Sequence, residues 1–164
     1  MSFPPCYNPV SAMTPPTSIT VDDSLWPLVV IRLVGTPALP EFEKVLAKRT
    51  EILRRGTHLL LVDGMRSGML PLEHRQRQVK WMGQHQELLR ESMLGAAYAT
   101  DSAFIRLTQS IVLHLETPAY PYVIVSRVDQ AAEWSARKLE DSGLHEDAER
   151  VRYHFGLLRE RVSG

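Results

Sequence analysis

The spacing of apolar residues changes several times along the chain, and each change marks a structural element. Ser18 to Val21 and Leu28 to Val34 are short β-prone runs separated by the turn formers Asp22, Asp23, Ser24 and Pro27, a pattern that predicts a hairpin. From Pro40 to Arg55, Phe42, Val45, Leu46, Ile52 and Leu53 recur at helical spacing. Pro40, Glu41 and Glu43 open this helix and Arg54, Arg55 and Gly56 close it, so its end charges complement the helix dipole. Thr57 to Val62 is a continuous apolar strand ending at Asp63 and Gly64. A long second helix is predicted from Pro71 to Met93, with Trp81, Met82, His85, Leu88 and Leu89 on one face.

Gly95 to Thr100 is a strand of small residues. Asp101 or Ser102 caps a third helix whose inward stripe is predicted to be Phe104, Leu107, Thr108, Ile111 and Leu115, ended by Pro118. Tyr122 to Val125 forms another apolar strand, and a helix from Asp129 to Ser142 stops at Gly143. A last helix is expected from His145 to Val162. The order β-β-α-β-α-β-α-β-α-α implies an α/β fold, with a mixed, mostly parallel sheet of about five strands and helices packed on it. Uninterrupted apolar strands such as Leu59 to Val62 and Val123 to Val125 suit central positions covered on both faces.

Three parts follow from this reading. Residues 1–17, with five prolines, are expected to be a flexible arm, 18–143 the α/β domain, and 144–164 an amphipathic C-terminal helix. That helix carries Ala148, Val151, Phe155, Leu158 and Val162 in alternating steps of three and four. The seam suits docking on the domain or pairing with another chain, which makes Val151, Phe155 and Leu158 candidate interface residues, a homodimer included.

Composition narrows the partners. Nineteen basic residues balance nineteen acidic ones. The chain therefore lacks the basic excess that drives binding to nucleic acid or anionic lipid. No apolar run approaches the roughly 20 residues that cross a bilayer, so no membrane insertion is expected. Cys6 is the lone cysteine, which removes any intrachain disulfide and suits a cytoplasmic, reducing setting. Fifteen of the nineteen basic residues are arginine, the side chain best suited to gripping carboxylates and phosphates.

The element order from Ser18 to Gly143 resembles the SpoIIAA-like group, which includes the STAS domains. Local features similar to bacterial relatives of that group are Leu60-Leu61-Val62-Asp63, Pro71 before a helix containing Trp81, Leu94-Gly95-Ala96-Ala97, and Ala131-Ala132-Glu133-Trp134. The resemblance implies a non-catalytic module that binds another protein, in signalling or assembly. In signalling members a serine at the start of the helix after the third strand is phosphorylated by a partner kinase. Ser67 matches by place and is the candidate modification site, although Arg66-Ser67-Gly68-Met69 replaces the usual Asp-Ser-Ser-Gly-like turn.

Ligands of parallel sheets gather beyond the carboxyl ends of the strands. Asp63, Arg66, Ser67, Arg106 and Arg127 are the candidate binding residues there, while helix capping accounts for Asp101, Ser102 and Asp129 without a ligand. The six histidines show no metal-ligand spacing, and no glycine-rich phosphate loop or Gly-x-Ser-x-Gly elbow occurs, so no metal or cofactor is expected. Asp63, Ser67 and His74 can be written as a hydrolase triad, the least favoured reading. A small apolar or lipid-like ligand between the second helix and the sheet is the main alternative to protein binding. Trp26, Trp81, Trp134, Tyr98, Tyr120 and Tyr122 are candidates to line its pocket.

Overall fold

The structure, a computed structural model, describes residues 17–115 and 117–158. Most of the expected arm and Cys6 lie outside those residues, as does Val162. Five strands form one sheet in the order of the chain: β1 (Ser18–Leu25), β2 (Leu28–Gly35), β3 (His58–Ser67), β4 (Met93–Ala99) and β5 (Tyr122–Val125). The first pair is antiparallel and the other three pairs are parallel. Helices α1 (Leu39–Arg55), α2 (Leu72–Gln84), α3 (Gln86–Ser92) and α4 (Ala103–Leu115) connect the parallel strands, and α5 (Val128–Asp141) and α6 (His145–His154) follow β5. The mixed α/β architecture expected from the element order is what the chain adopts.

Strand alternation divides the core in two. Val29, Ile31, Leu60, Ala96 and Tyr98 face α1 to α4, while Leu28, Val30, Leu59, Leu61, Ala97 and Ala99 face α5 and α6. Both faces of β2, β3 and β4 are covered, which is why these strands lack polar alternation. On the α5 side the contact is tight, because Ala97 and Ala99 meet Ala131, Ala132 and Ala136. Gly95 lets the Trp134 ring lie directly on the strand: a Cβ there would stand 2.7 Å from Trp134 Cη2 and 3.0 Å from the Pro121 carbonyl oxygen.

Several boundaries differ from the expectation, each for a local reason. The long helix 71–93 is two helices, broken at His85, whose ring Nδ1–H donates to the Trp81 carbonyl at 2.8 Å and whose main-chain N–H reaches the carbonyls of Trp81 and Met82. β1 continues past Val21 to Leu25 through an irregularity after Asp22, whose carboxylate accepts from the Ser24 N–H. β3 runs on to Ser67, because an extra residue between Asp63 and Arg66 restores pairing with Val34 and Gly35.

The final helix stops at His154. Gly156 adopts φ 70° and donates to the Tyr153 carbonyl while Leu157 donates to Arg152, a Schellman stop like the one Gly143 and Leu144 make after α5. Among the described residues of its seam, Ala148 and Val151 are fully buried against the domain, Phe155 packs beside them, and Leu158 is exposed. Val151 is thus a core residue rather than an interface residue.

The stripe of α4 is also turned outward, except at Thr108, which is half-buried. Leu113 is buried and Ile105 half-buried, whereas Phe104, Leu107 and Ile111 are 66%, 60% and 53% exposed. No described helix is long and apolar enough to cross a membrane.

Candidate functional site

The strand-end residues singled out in the sequence are not joined to one another by hydrogen bonds or ion pairs among the described residues. Asp63 accepts the Met65 N–H at 3.1 Å and faces Arg32 Nε at 3.6 Å, and Arg127 pairs with Asp129 at 3.0 Å. Arg66 is exposed, and Arg106 is half-buried on α4. Ser67 is the last residue of β3 and its hydroxyl donates to the Gly68 carbonyl, so it does not open a helix. Ser102 does cap α4, accepting from the Ile105 N–H, but Asp129 lies inside α5, where Arg127 holds the cap position.

The written triad is not assembled either. His74 is buried against Phe42, and its Nε2–H donates to the Pro37 carbonyl at 2.7 Å. Asp63, Ser67 and His74 thus each bond to a different main-chain group. Among the described residues no group of three His, Cys, Asp or Glu side chains could hold a metal ion.

The structure instead brings together a cavity of about 210 Å³ between the sheet and helices α1, α2 and α4. Its floor is strand side chains of one parity, including Ile31, Leu60, Val62 and Tyr98, and its walls include Phe42, Val45 and Leu46 of α1, Met82 of α2 and Leu113 of α4. Ser67, Gly68, Thr100 and Ile105 mark the end where the strands finish. Of the six aromatic residues proposed as lining, only Tyr98 lines it. Trp134 lies on the other face of the sheet, and Trp26 stacks on His58.

Two arginines break this apolar surface. Arg49 occupies a core position on α1, one helical turn after Val45, and is 8% exposed. Its guanidinium lies 4.5 Å above the Trp81 ring, and that ring is fixed by Nε1–H donation to Thr50 Oγ1 at 2.9 Å. Arg49 Nη2 is buried without a hydrogen-bond partner, and Arg49 belongs to none of the ion pairs among the described residues. Arg75, in the first turn of α2, also lines the cavity, and its Nε is buried without a partner among the described residues. Nearby Tyr98 is buried, which pushes its phenol far above the ordinary range, with the Arg49 charge opposing in part; the hydroxyl is a neutral donor.

Sequence reasoning passed over Arg49 because arginine reads as a surface residue. The available signal was its place on the stripe of Val45, Leu46, Ile52 and Leu53.

No family model and no curated protein matches this sequence. Among solved structures, an uncharacterised DUF3478-family protein from Shewanella loihica PV-4 with a SpoIIAA-like fold superposes with a TM-score of 0.58. The match covers 76% of this chain and 98% of the other, at 12% identity. The fold is SpoIIAA-like. At that identity the likeness concerns the fold, and the SpoIIAA-like sheet fixes where the cavity lies: on the face covered by the crossover helices, below the strand ends.

Proposed function

We propose that the protein binds a small, largely apolar molecule in the cavity between the sheet and α1, α2 and α4. The observation that carries this reading is the cavity itself, about 210 Å³ with mostly aliphatic walls. An apolar cavity of about 150 Å³ holds a benzene, so this one suits a compact ligand. Pockets with apolar walls and a few placed polar groups are the usual form of small-molecule sites.

The test is a titration of the 15N-labelled protein with 1-octanol, followed by NMR. Shifts centred on Leu60, Met82 and Leu113, abolished in Val62→Phe, are expected. Shifts scattered over the surface, or unchanged in a folded Val62→Phe variant, would remove the proposal.

A second reading, contact with another protein, is favoured by one observation. Phe104, Leu107 and Ile111 present an outward apolar stripe on α4, at steps of three and four residues. Light scattering of wild type against Phe104→Glu/Leu107→Glu tests the homodimeric form of this reading. A wild type that is monomeric at high concentration ends that form.

A further inference from the structure

The cavity is lined by a buried charge that no carboxylate among the described residues pairs with. Arg49 is more than nine-tenths buried, its Nη2 has no hydrogen-bond partner, and no carboxylate pairs with it among the described residues. A guanidinium stays protonated when buried, so removal from water must be offset by an anion or by acceptors. Trp81 offers its face at 4.5 Å, which accounts for the flat side of the group but not for its N–H edge. The Tyr98 hydroxyl is neutral and supplies no counter-charge.

We infer that the ligand is an apolar acid whose carboxylate is held by Arg49, with its hydrocarbon body along Ile31, Leu60 and Leu113. This rests on the proposal that the cavity is a ligand site, and it adds the chemical class. A carboxylate accepts N–H bonds from a planar guanidinium in its own plane, leaving the Trp81 stack undisturbed.

Arg75 is a separate anchor point. It precedes Trp81 by six residues on α2, a rise of roughly 9 Å, and so stands nearer the carboxyl ends of the strands. The head group is therefore placed beside Arg49 and Trp81, away from the strand ends.

The experiment compares octanoate with 1-octanol at pH 7 by calorimetry, using wild type, Arg49→Met and Arg75→Met. Wild type should bind octanoate at least tenfold more tightly than 1-octanol, the change expected of one charge-assisted hydrogen bond. Arg49→Met should lose that preference while still binding 1-octanol, and Arg75→Met should keep it. Should Arg49→Met not fold, Arg49→Lys is expected to retain only part of the preference, since a point charge replaces the fork. Equal binding of the two probes to wild type overturns the acid and leaves the pocket standing. Loss of the preference in Arg75→Met alone places the head at the strand ends and also overturns it. Failure of both probes to bind removes the pocket reading itself.

Discussion

Replacing Gly95 by alanine tests the closest contact between sheet and helix. The added Cβ would lie 2.7 Å from Trp134 Cη2, 3.2 Å from Cζ3 and 3.0 Å from the Pro121 carbonyl oxygen. Ordinary carbon contacts begin near 3.5 Å, so ring and strand must separate by roughly 0.8 Å. Overpacking of this kind costs about 1–3 kcal/mol, and the lower chain entropy of unfolded alanine returns about 0.4–1 kcal/mol. A net loss of about 1–2 kcal/mol is expected, or roughly 2–8 °C in Tm for a domain of this size. Urea unfolding followed by circular dichroism measures it. Trp134→Leu removes the ring, so Gly95→Ala should cost less in that background, with a coupling of about 1 kcal/mol and a remainder owed to the Pro121 carbonyl. A neutral Gly95→Ala, or the same cost with and without the ring, would refute this account of the packing.

Three further outcomes follow from the charges. Arg152 joins α6 to α5 by pairing with both Glu133 oxygens at 3.1 Å and with Glu140, and this lowers the Glu133 carboxyl below its ordinary 4.5. Its contribution is complete above that unfolded value and is lost as pH falls through the lower folded one; Arg152→Met should cost about 1–2 kcal/mol at pH 7 and flatten the acid limb of stability below pH 4.5. Burial lowers the pKa of His58, so the unfolded chain takes up the proton first and stability should fall as pH drops below 6.5; His58→Gln should remove that segment from the stability profile. Arg49→Met, assayed without ligand, should unfold at or above the wild-type urea midpoint, because an unanswered buried charge is replaced by an apolar chain of similar length; a loss of about 2 kcal/mol or more would make Arg49 a structural cation.

Legibility in the sequence followed the strength of the local signals. Strands and helices with one clear apolar face, such as α1 and α5, lie where Phe42, Val45 and Leu46 or Ala131 and Ala132 place them. Helix α4 misled because it is apolar on two sides, and periodicity cannot say which side meets the sheet when Ile105 and Leu113 compete with Phe104, Leu107 and Ile111. In the sequence His85 falls on the apolar face of one long helix, yet its ring and main chain cap the carbonyls that end α2. Gly156 was a legible stop, hidden by a heptad pattern continuing past it. The site was less legible, since a cavity is made where side chains fall short of one another, and no single residue type announces that.

Why the cavity opens on one face of the sheet and not the other is decided within β4. Its residues of one parity, Gly95, Ala97 and Ala99, are small: Ala97 and Ala99 meet the equally small Ala131, Ala132 and Ala136, and Gly95 takes the Trp134 ring, so α5 seats close and the space closes. Those of the other parity, Ala96 and Tyr98, face the larger side chains of α1, α2 and α4, where Arg49 takes a place on the stripe that an aliphatic residue would fill. Large side chains on three separate helices leave gaps that alanines on one helix do not. The two faces should therefore respond independently: Gly95→Ala should lower stability without altering octanoate binding beyond what unfolding removes, and Val62→Phe should abolish binding with little change in stability. A Gly95→Ala protein that stays folded but loses octanoate would mean the sheet transmits the strain, and the division of labour between its faces would not hold.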